Sequence, residues 1–187
     1  MSKNPTRAIQ IANYDPQWPH EFAELSRVLK PWLGNLVLAI EHVGSTAVPG
    51  LAAKPIIDFD IVIQSRSLLG EVIDRLAELG YEHQGDLGIA DREAFDRQSP
   101  DVPRTGDGRL WREHHLYVCA RDAAELAKHL AFRDYLRANT EAASAYAELK
   151  RKLAERFRDD RDSYCKAKTE FIERVLNKVS PGPDPKT

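Results

Sequence analysis

Asp58 and Asp60 are the residues of this chain whose type and spacing are best suited to chemistry. They stand two apart in Ile56-Ile57-Asp58-Phe59-Asp60-Ile61-Val62-Ile63. Strand alternation sends Ile57, Phe59, Ile61 and Ile63 to one face and both carboxylates to the other. With a rise of ~3.3 Å per residue their Cα atoms lie about 6.5 to 7 Å apart, so the side chains can lean together over a hard cation. Mg²⁺ (or Mn²⁺) suits such a pair, because Mg²⁺ accepts one or two carboxylates and completes its octahedron with water and phosphate oxygens. Without a cation the two charges repel, and one acid tends to keep its proton. The alternative is an edge strand that holds both acids in solvent, where repulsion is small and screened.

The segment before the acids carries a second feature. In Glu41-His42-Val43-Gly44-Ser45-Thr46-Ala47-Val48-Pro49-Gly50 an apolar run ends in Gly-Ser and then a turn-rich connection. Glycine lets backbone approach a ligand closely, and neighbouring N–H groups with the Ser45 and Thr46 hydroxyls offer a cradle for phosphate oxygens. The G-x-x-x-x-G-K-[ST] spacing of a P-loop is absent. Alone, Gly-Ser is more often a simple turn.

The elements that must position these residues are legible as periodicities. Phe22, Leu25, Leu29 and Trp32 recur at three- and four-residue steps and predict a helix between Trp18 and Leu33, disturbed near Pro31. Leu36 to Val43 and Pro55 to Ile63 read as buried strands, and Ser67 to Leu79 as a helix stopped by Gly80. Weak strand signals lie at Tyr81 to His83 and Leu87 to Ile89, and Ser99 to Arg109 reads as a long loop. A strand resumes at His114 to Cys119, and the chain is helical from Asp122, where Asp122 and Glu125 are spaced as a capping box. Thr140 and Asp162 are further candidate caps. One-sided apolar stripes run through Tyr146, Leu149, Leu153 and Phe157, and through Phe171, Ile172, Val175, Leu176 and Val179.

Bulk properties narrow the setting. A chain of 187 residues fits one domain and buries roughly 70% of its unfolded surface without disulfide or metal staples. We expect a single domain over residues 1–179 and a disordered tail at 180–187. With 27 basic and 29 acidic residues the net charge is −2, so there is no strong nucleic-acid signal and no field drawing the chain to an anionic membrane. Apolar runs are too short to span a bilayer and the start has no apolar signal core, which makes the cytoplasm the expected location. Cys119 and Cys165 read as packed thiols. His20, His83 and His129 have no visible partner and read as surface or packed residues.

Taken together, the strand, the Gly-Ser turn and the following h-D-x-D-h strand, with h apolar, resemble the nucleotidyltransferase superfamily. The block EHVGSTAVPGLAAKPIIDFDIVI at 41 to 63 resembles the GrpB family more closely. HHLYV at 114 to 118, FRDYLR at 132 to 137 and Tyr164, Lys168, Phe171 and Ile172 extend the likeness over about residues 8 to 178. The resemblance implies an α+β fold with a nucleotidyltransferase-like mixed β-sheet, flanking helices and a C-terminal helical segment. It also implies that the turn takes a nucleotide or phosphorylated small molecule and that Asp58 and Asp60 hold the metal.

In the superfamily a third carboxylate on a later strand completes the site. On the 113 to 119 strand, alternation turns His115 and Tyr117 towards the acids and Leu116 and Val118 towards the core. Glu113, at the strand's start, is the acid available. The family resemblance implies histidines on this strand, which puts His115 in the site, and Tyr117 stands where a second is expected. Among the cations of the helical half the resemblance favours Arg133 and Lys168 over Arg137, Lys150 and Lys166, and Lys54 is a third candidate. Three readings stay open: a metal-dependent nucleotidyl transfer enzyme, a catalytically degenerate nucleotide or phosphometabolite-binding module, and a helical interaction protein.

Overall fold

The computed structural model describes residues 8–179; the tail expected at 180–187 lies outside them. A five-stranded mixed sheet is formed by β1 (Val37–Val43), β2 (Ile57–Ile63), β3 (Tyr81–Gly85), β4 (Arg92–Arg97) and β5 (His114–Ala120), in the order β1-β2-β5-β4-β3. Strand β2 runs antiparallel to β1 and parallel to β5, while β4 is antiparallel to both β5 and β3. The acidic strand is therefore flanked on both sides, which excludes the edge-strand alternative.

Two groups of helices cover the two faces, and alternation along β2 decides which residues meet them. Ile57, Phe59, Ile61 and Ile63, with Leu116 and Val118 of β5, pack in the main core with Trp18, Leu25 and Leu29 of α1 (Gln17–Leu33) and Val72 and Leu76 of α2 (Leu69–Glu78). Helix α1 continues through Pro31 to Leu33, and Trp32, expected in the apolar stripe, points outward at 42% exposure. Burying one of the large aliphatic side chains contributes roughly 1.5–3 kcal/mol, so the odd-numbered face of β2 fixes its register and commits the even-numbered residues to the other side. There α3 (Ala124–Ala138), α4 (Thr140–Arg156) and α5 (Arg161–Val179) gather. Val62, Cys119, Ala123 and Leu126 form a small cluster beneath α3, and Tyr146 of α4 stacks on Phe171 of α5.

Several local expectations change. Leu87 to Ile89 is a turn, with Leu87 at φ 49°, and the strand that follows is Arg92–Arg97, whose mixed charges mask its alternation. The segment Ser99 to Arg109 is a loop, as expected, anchored on the face opposite the acids by the fully buried Val102 and by Trp111 Nε1, which donates to Pro103 O at 2.8 Å, while Arg104 to Arg109 are exposed. Asp122 and Glu125 form no capping box, since α3 begins at Ala124 after Ala123 with no side-chain cap. The cap of α5 is Asp160, whose Oδ1 accepts from Ser163 N at 3.0 Å, and Thr140 is the first residue of α4 with no cap bond at Asn139. Cys119 is buried as expected, whereas Cys165 is exposed. No helix among the described residues is long and apolar enough to cross a membrane.

Candidate functional site

Strand β1 ends at Val43, which pairs with Asp58, and the chain then turns at Gly44 with φ 70° and ψ −170°. That conformation belongs almost entirely to glycine. The turn passes so close to the acidic strand that a Cβ built on Gly44 would lie 2.5 Å from Asp58 Oδ2 and 3.0 Å from Asp58 Cβ. Turn and acid are one structure. Ser45 opens a single 3₁₀ turn, and its Oγ accepts from Lys150 Nζ at 2.8 Å.

Each carboxylate is held by a histidine. Asp58 Oδ1 lies 2.7 Å from His115 Nδ1, its neighbour across the parallel β2–β5 pairing. Burial pushes the Asp58 carboxyl up, but the hydrogen bond and charge of His115, with Lys54 and Lys168 nearby, bring it below the ordinary carboxylate value. Asp60 has no exposed surface; its Oδ2 lies 2.7 Å from His129 Nδ1, and its Oδ1 is buried without a hydrogen-bond partner. His129 Nε2 is 3.5 Å from Glu125 Oε1, one helical turn earlier on α3. Burial alone pushes the His129 imidazole down, yet the Asp60 and Glu125 carboxylates outweigh it and raise the pKa to about 9. His129 is therefore an imidazolium at neutral pH, facing a carboxylate from each ring nitrogen.

A buried lysine completes the floor. Lys150 is almost wholly enclosed, donating to Ser45 Oγ and to Ala52 O at 2.5 Å, with Nζ 4.7 Å from the Tyr146 ring centroid. Burial lowers its pKa to about 7. Lys168 sits over Tyr164, 4.5 Å from the ring centroid, and burial lowers its pKa too. Lys54, on the connection into β2, and Lys168 both act on Asp58.

The fold thus gathers Gly44, Ser45, Lys54, Asp58, Asp60, His115 and Lys168. It turns two candidates away. The Thr46 hydroxyl is buried, donating to Ile56 O at 3.3 Å and lying 3.1 Å from His42 Nε2, so it braces the turn from within. Arg133 Nη1 binds Glu41 Oε2 at 2.8 Å and His42 O at 3.0 Å, and its Nε binds Asp134 at 2.7 Å, which commits it to fastening α3 to β1. Glu113 lies outside β5 and is exposed. On β5 the positions opposite Asp58 and Asp60 are His115 and Tyr117, neither of them a carboxylate.

His129 is the residue that sequence reasoning missed. The signal available was the i, i+4 spacing of Glu125 and His129 on one face of a helix. Nothing in the sequence pointed that face at β2.

Comparison with known proteins accords with this architecture. A family model described as GrpB protein matches residues 8–178. The chain is 35% identical to UPF0157 protein YqkA of Bacillus subtilis over 90% of its own length and 46% of that protein. It is 30% identical to a dephospho-CoA kinase of Mycolicibacterium paratuberculosis, covering 91% of this chain and 46% of that one. The chain thus spans about half the length of these two relatives. The crystal structure of conserved protein GrpB from Enterococcus faecalis superposes with a TM-score of 0.77 at 34% identity, over 91% of this chain and 96% of that one. The Cid1 poly(U) polymerase with MgGTP bound shares the fold at a TM-score of 0.53 and 17% identity, over 78% and 45%. With the family model covering nearly the whole described chain and the sheet matching the nucleotidyltransferase type, the chain belongs to the GrpB family and has a nucleotidyltransferase-like α+β fold.

Proposed function

We propose that the chain binds a nucleotide through its phosphates at the Gly44-Ser45 turn and, with a divalent cation at Asp58 and Asp60, transfers a nucleotidyl group to a hydroxyl. The observation that carries this reading is the contact of Gly44 with Asp58, where turn and carboxylate lie so close that even a single Cβ would collide with the acid. Phosphates on the turn are thereby brought against the acids.

The residues fit one cation. Asp60 Oδ1 is a buried acceptor without a partner, and each acid has one oxygen committed to a histidine and one that is not. Such a pair of carboxylates suits Mg²⁺, an ion that keeps waters and phosphate oxygens in its shell. When bound, the cation neutralises charge on the phosphate oxygens. The chain's own residues do the rest. Lys54 and Lys168 offset phosphate charge, and Gly44 and Ser45 present backbone N–H groups. His115, whose Nδ1 lies 2.7 Å from Asp58 Oδ1, is the base placed to take the proton of an attacking hydroxyl at Nε2, the ring nitrogen that Arg161 Nη2 approaches to 3.4 Å.

A second reading, a binding module without turnover, is favoured by His115 and Tyr117 occupying the strand positions opposite the acids. Thermal unfolding with Mg²⁺ and a non-hydrolysable nucleoside triphosphate tests both. At a ligand concentration of a hundred times Kd, stabilisation of about 2.7 kcal/mol is expected, and it should vanish in the Asp58→Asn, Asp60→Asn double variant. Release of pyrophosphate with a panel of hydroxyl acceptors separates enzyme from module. No nucleotide-induced stabilisation in the unaltered chain would sink both readings.

A further inference from the structure

The face of the sheet that carries the acids continues past β5 onto β4, where Tyr117 pairs with Ala94 and Cys119 with Arg92. Arg92 lies over the Tyr117 ring, Cζ 4.3 Å from the centroid, and its Nε is buried with no hydrogen-bond partner. Arg161, at the start of α5, reaches His115 Nε2 at 3.4 Å and, like Arg92, Asp58 and Asp60, acts electrostatically on Tyr117. Among the described residues neither arginine forms an ion pair, whereas Arg66, Arg112 and Arg133 each do. The Tyr117 ring is half-buried, and its hydroxyl makes no hydrogen bond among those residues. Burial, with the nearby Asp58 charge, pushes that hydroxyl up to about 12, so it remains a neutral donor.

A buried donor left unsatisfied costs about 1–3 kcal/mol, more for a charged group. Two cations and a hydroxyl stand beside a pair of carboxylates, with one guanidinium N–H buried and unpaired, and together they offer donors that an anion would satisfy. Its place relative to the turn matters. Gly44 meets Asp58 from the β1 side, while Tyr117 and Arg92 lie on the β5 and β4 side, so the acids stand between them. In phosphoryl chemistry the attacking and leaving oxygens lie roughly in line across the reacting phosphorus. A donor held at the turn therefore leaves the β4 side for the acceptor.

We propose that Arg92, Arg161 and the Tyr117 hydroxyl form the acceptor subsite and take a phosphate monoester carried by the molecule whose hydroxyl is modified. Two guanidinium groups and one neutral donor match the double charge and three free oxygens of a phosphate monoester better than the single charge of a carboxylate. This assignment rests on the nucleotidyl-transfer reading for its role, though the anion site itself is tested independently.

The test is arginine Nε–H NMR on the whole chain with inorganic phosphate as the probe. It is run with and without Mg²⁺ and a saturating non-hydrolysable nucleotide, which fills the turn. Phosphate is expected to shift the Arg92 Nε–H resonance saturably in both conditions, with acetate binding at least ~10-fold more weakly. Arg92→Gln and the exposed Arg161→Gln should each weaken phosphate binding at least ~10-fold, the worth of one charge-assisted hydrogen bond, while nucleotide affinity changes less than about twofold. An unmoved Arg92 signal, equal affinity for acetate, or parallel loss of nucleotide and phosphate binding in Arg161→Gln would overturn the subsite. Failure of nucleotide to bind the unaltered chain would count against the transfer reading alone, since the phosphate arm still decides the anion site.

Discussion

Replacing His129 by alanine is expected to lower the unfolding free energy by about 3 to 5 kcal/mol at pH 7, the cost of leaving one member of a buried ion pair uncompensated. Asp60 has no exposed surface, and His129 Nδ1, 2.7 Å away, is its hydrogen-bond partner. Urea unfolding reads the loss directly. Because the two side chains touch, Asp60→Asn combined with His129→Ala should cost less than the sum of the single changes. A loss under about 1 kcal/mol would mean that Asp60 is not held as a buried anion.

The same pair fixes a dependence on pH. The His129 pKa is raised from 6.5 to about 9, so its contribution to stability is whole below pH 6.5 and is lost as pH climbs through 9. Lys150 runs the other way. Its pKa is lowered from 10.5 to about 7, so the fold carries the full cost of a buried ammonium below pH 7 and gains stability from there to 10.5. Between pH 7 and 9 the two slopes oppose. Stability of the unaltered chain should therefore be nearly flat in that window, falling with pH in Lys150→Met and rising in His129→Ala. Identical slopes in all three chains would contradict the assignment.

Gly44→Ala is expected to weaken nucleotide binding by at least ~100-fold, about 2.7 kcal/mol, and to remove the Mg²⁺-dependent stabilisation. Two effects combine. The backbone conformation costs a side-chain-bearing residue about 1–3 kcal/mol, and the new Cβ, 2.5 Å from Asp58 Oδ2, must displace the carboxylate or the turn. Gly34→Ala separates them, because Gly34 has φ 54° with no atom within 4 Å of a built Cβ. It should lose stability and keep the nucleotide response. Titration calorimetry on the two variants measures the difference; equal nucleotide affinity in both would mean that the Gly44–Asp58 contact is incidental to binding.

For the site, the sequence by itself determined which residues share a face. Side-chain alternation has a period of two whatever the fold, so Asp58 with Asp60, and His115 with Tyr117, were legible from their spacing. The Gly44-Ser45 turn was legible for a similar reason, since a glycine ending an apolar run permits few local alternatives. Alternation does not say whether a face is covered, or by what. The strand order placed β2 between β1 and β5 and turned a plausible edge into an interior strand of the sheet. Helix packing brought His129 to Asp60 across 69 residues of chain and Lys150 to Ser45 across 105, and tied Arg133 to Glu41. On an amphipathic helix a histidine or lysine reads as solvated until the direction in which the helix packs is known. That direction is set by the summed burial of apolar groups from many segments, a quantity no local window of the sequence contains. The tertiary structure alone decided that Asp60 is buried and Asp58 half-buried, each with a histidine for partner, and that His115 and Tyr117 face the pair in place of a third acid.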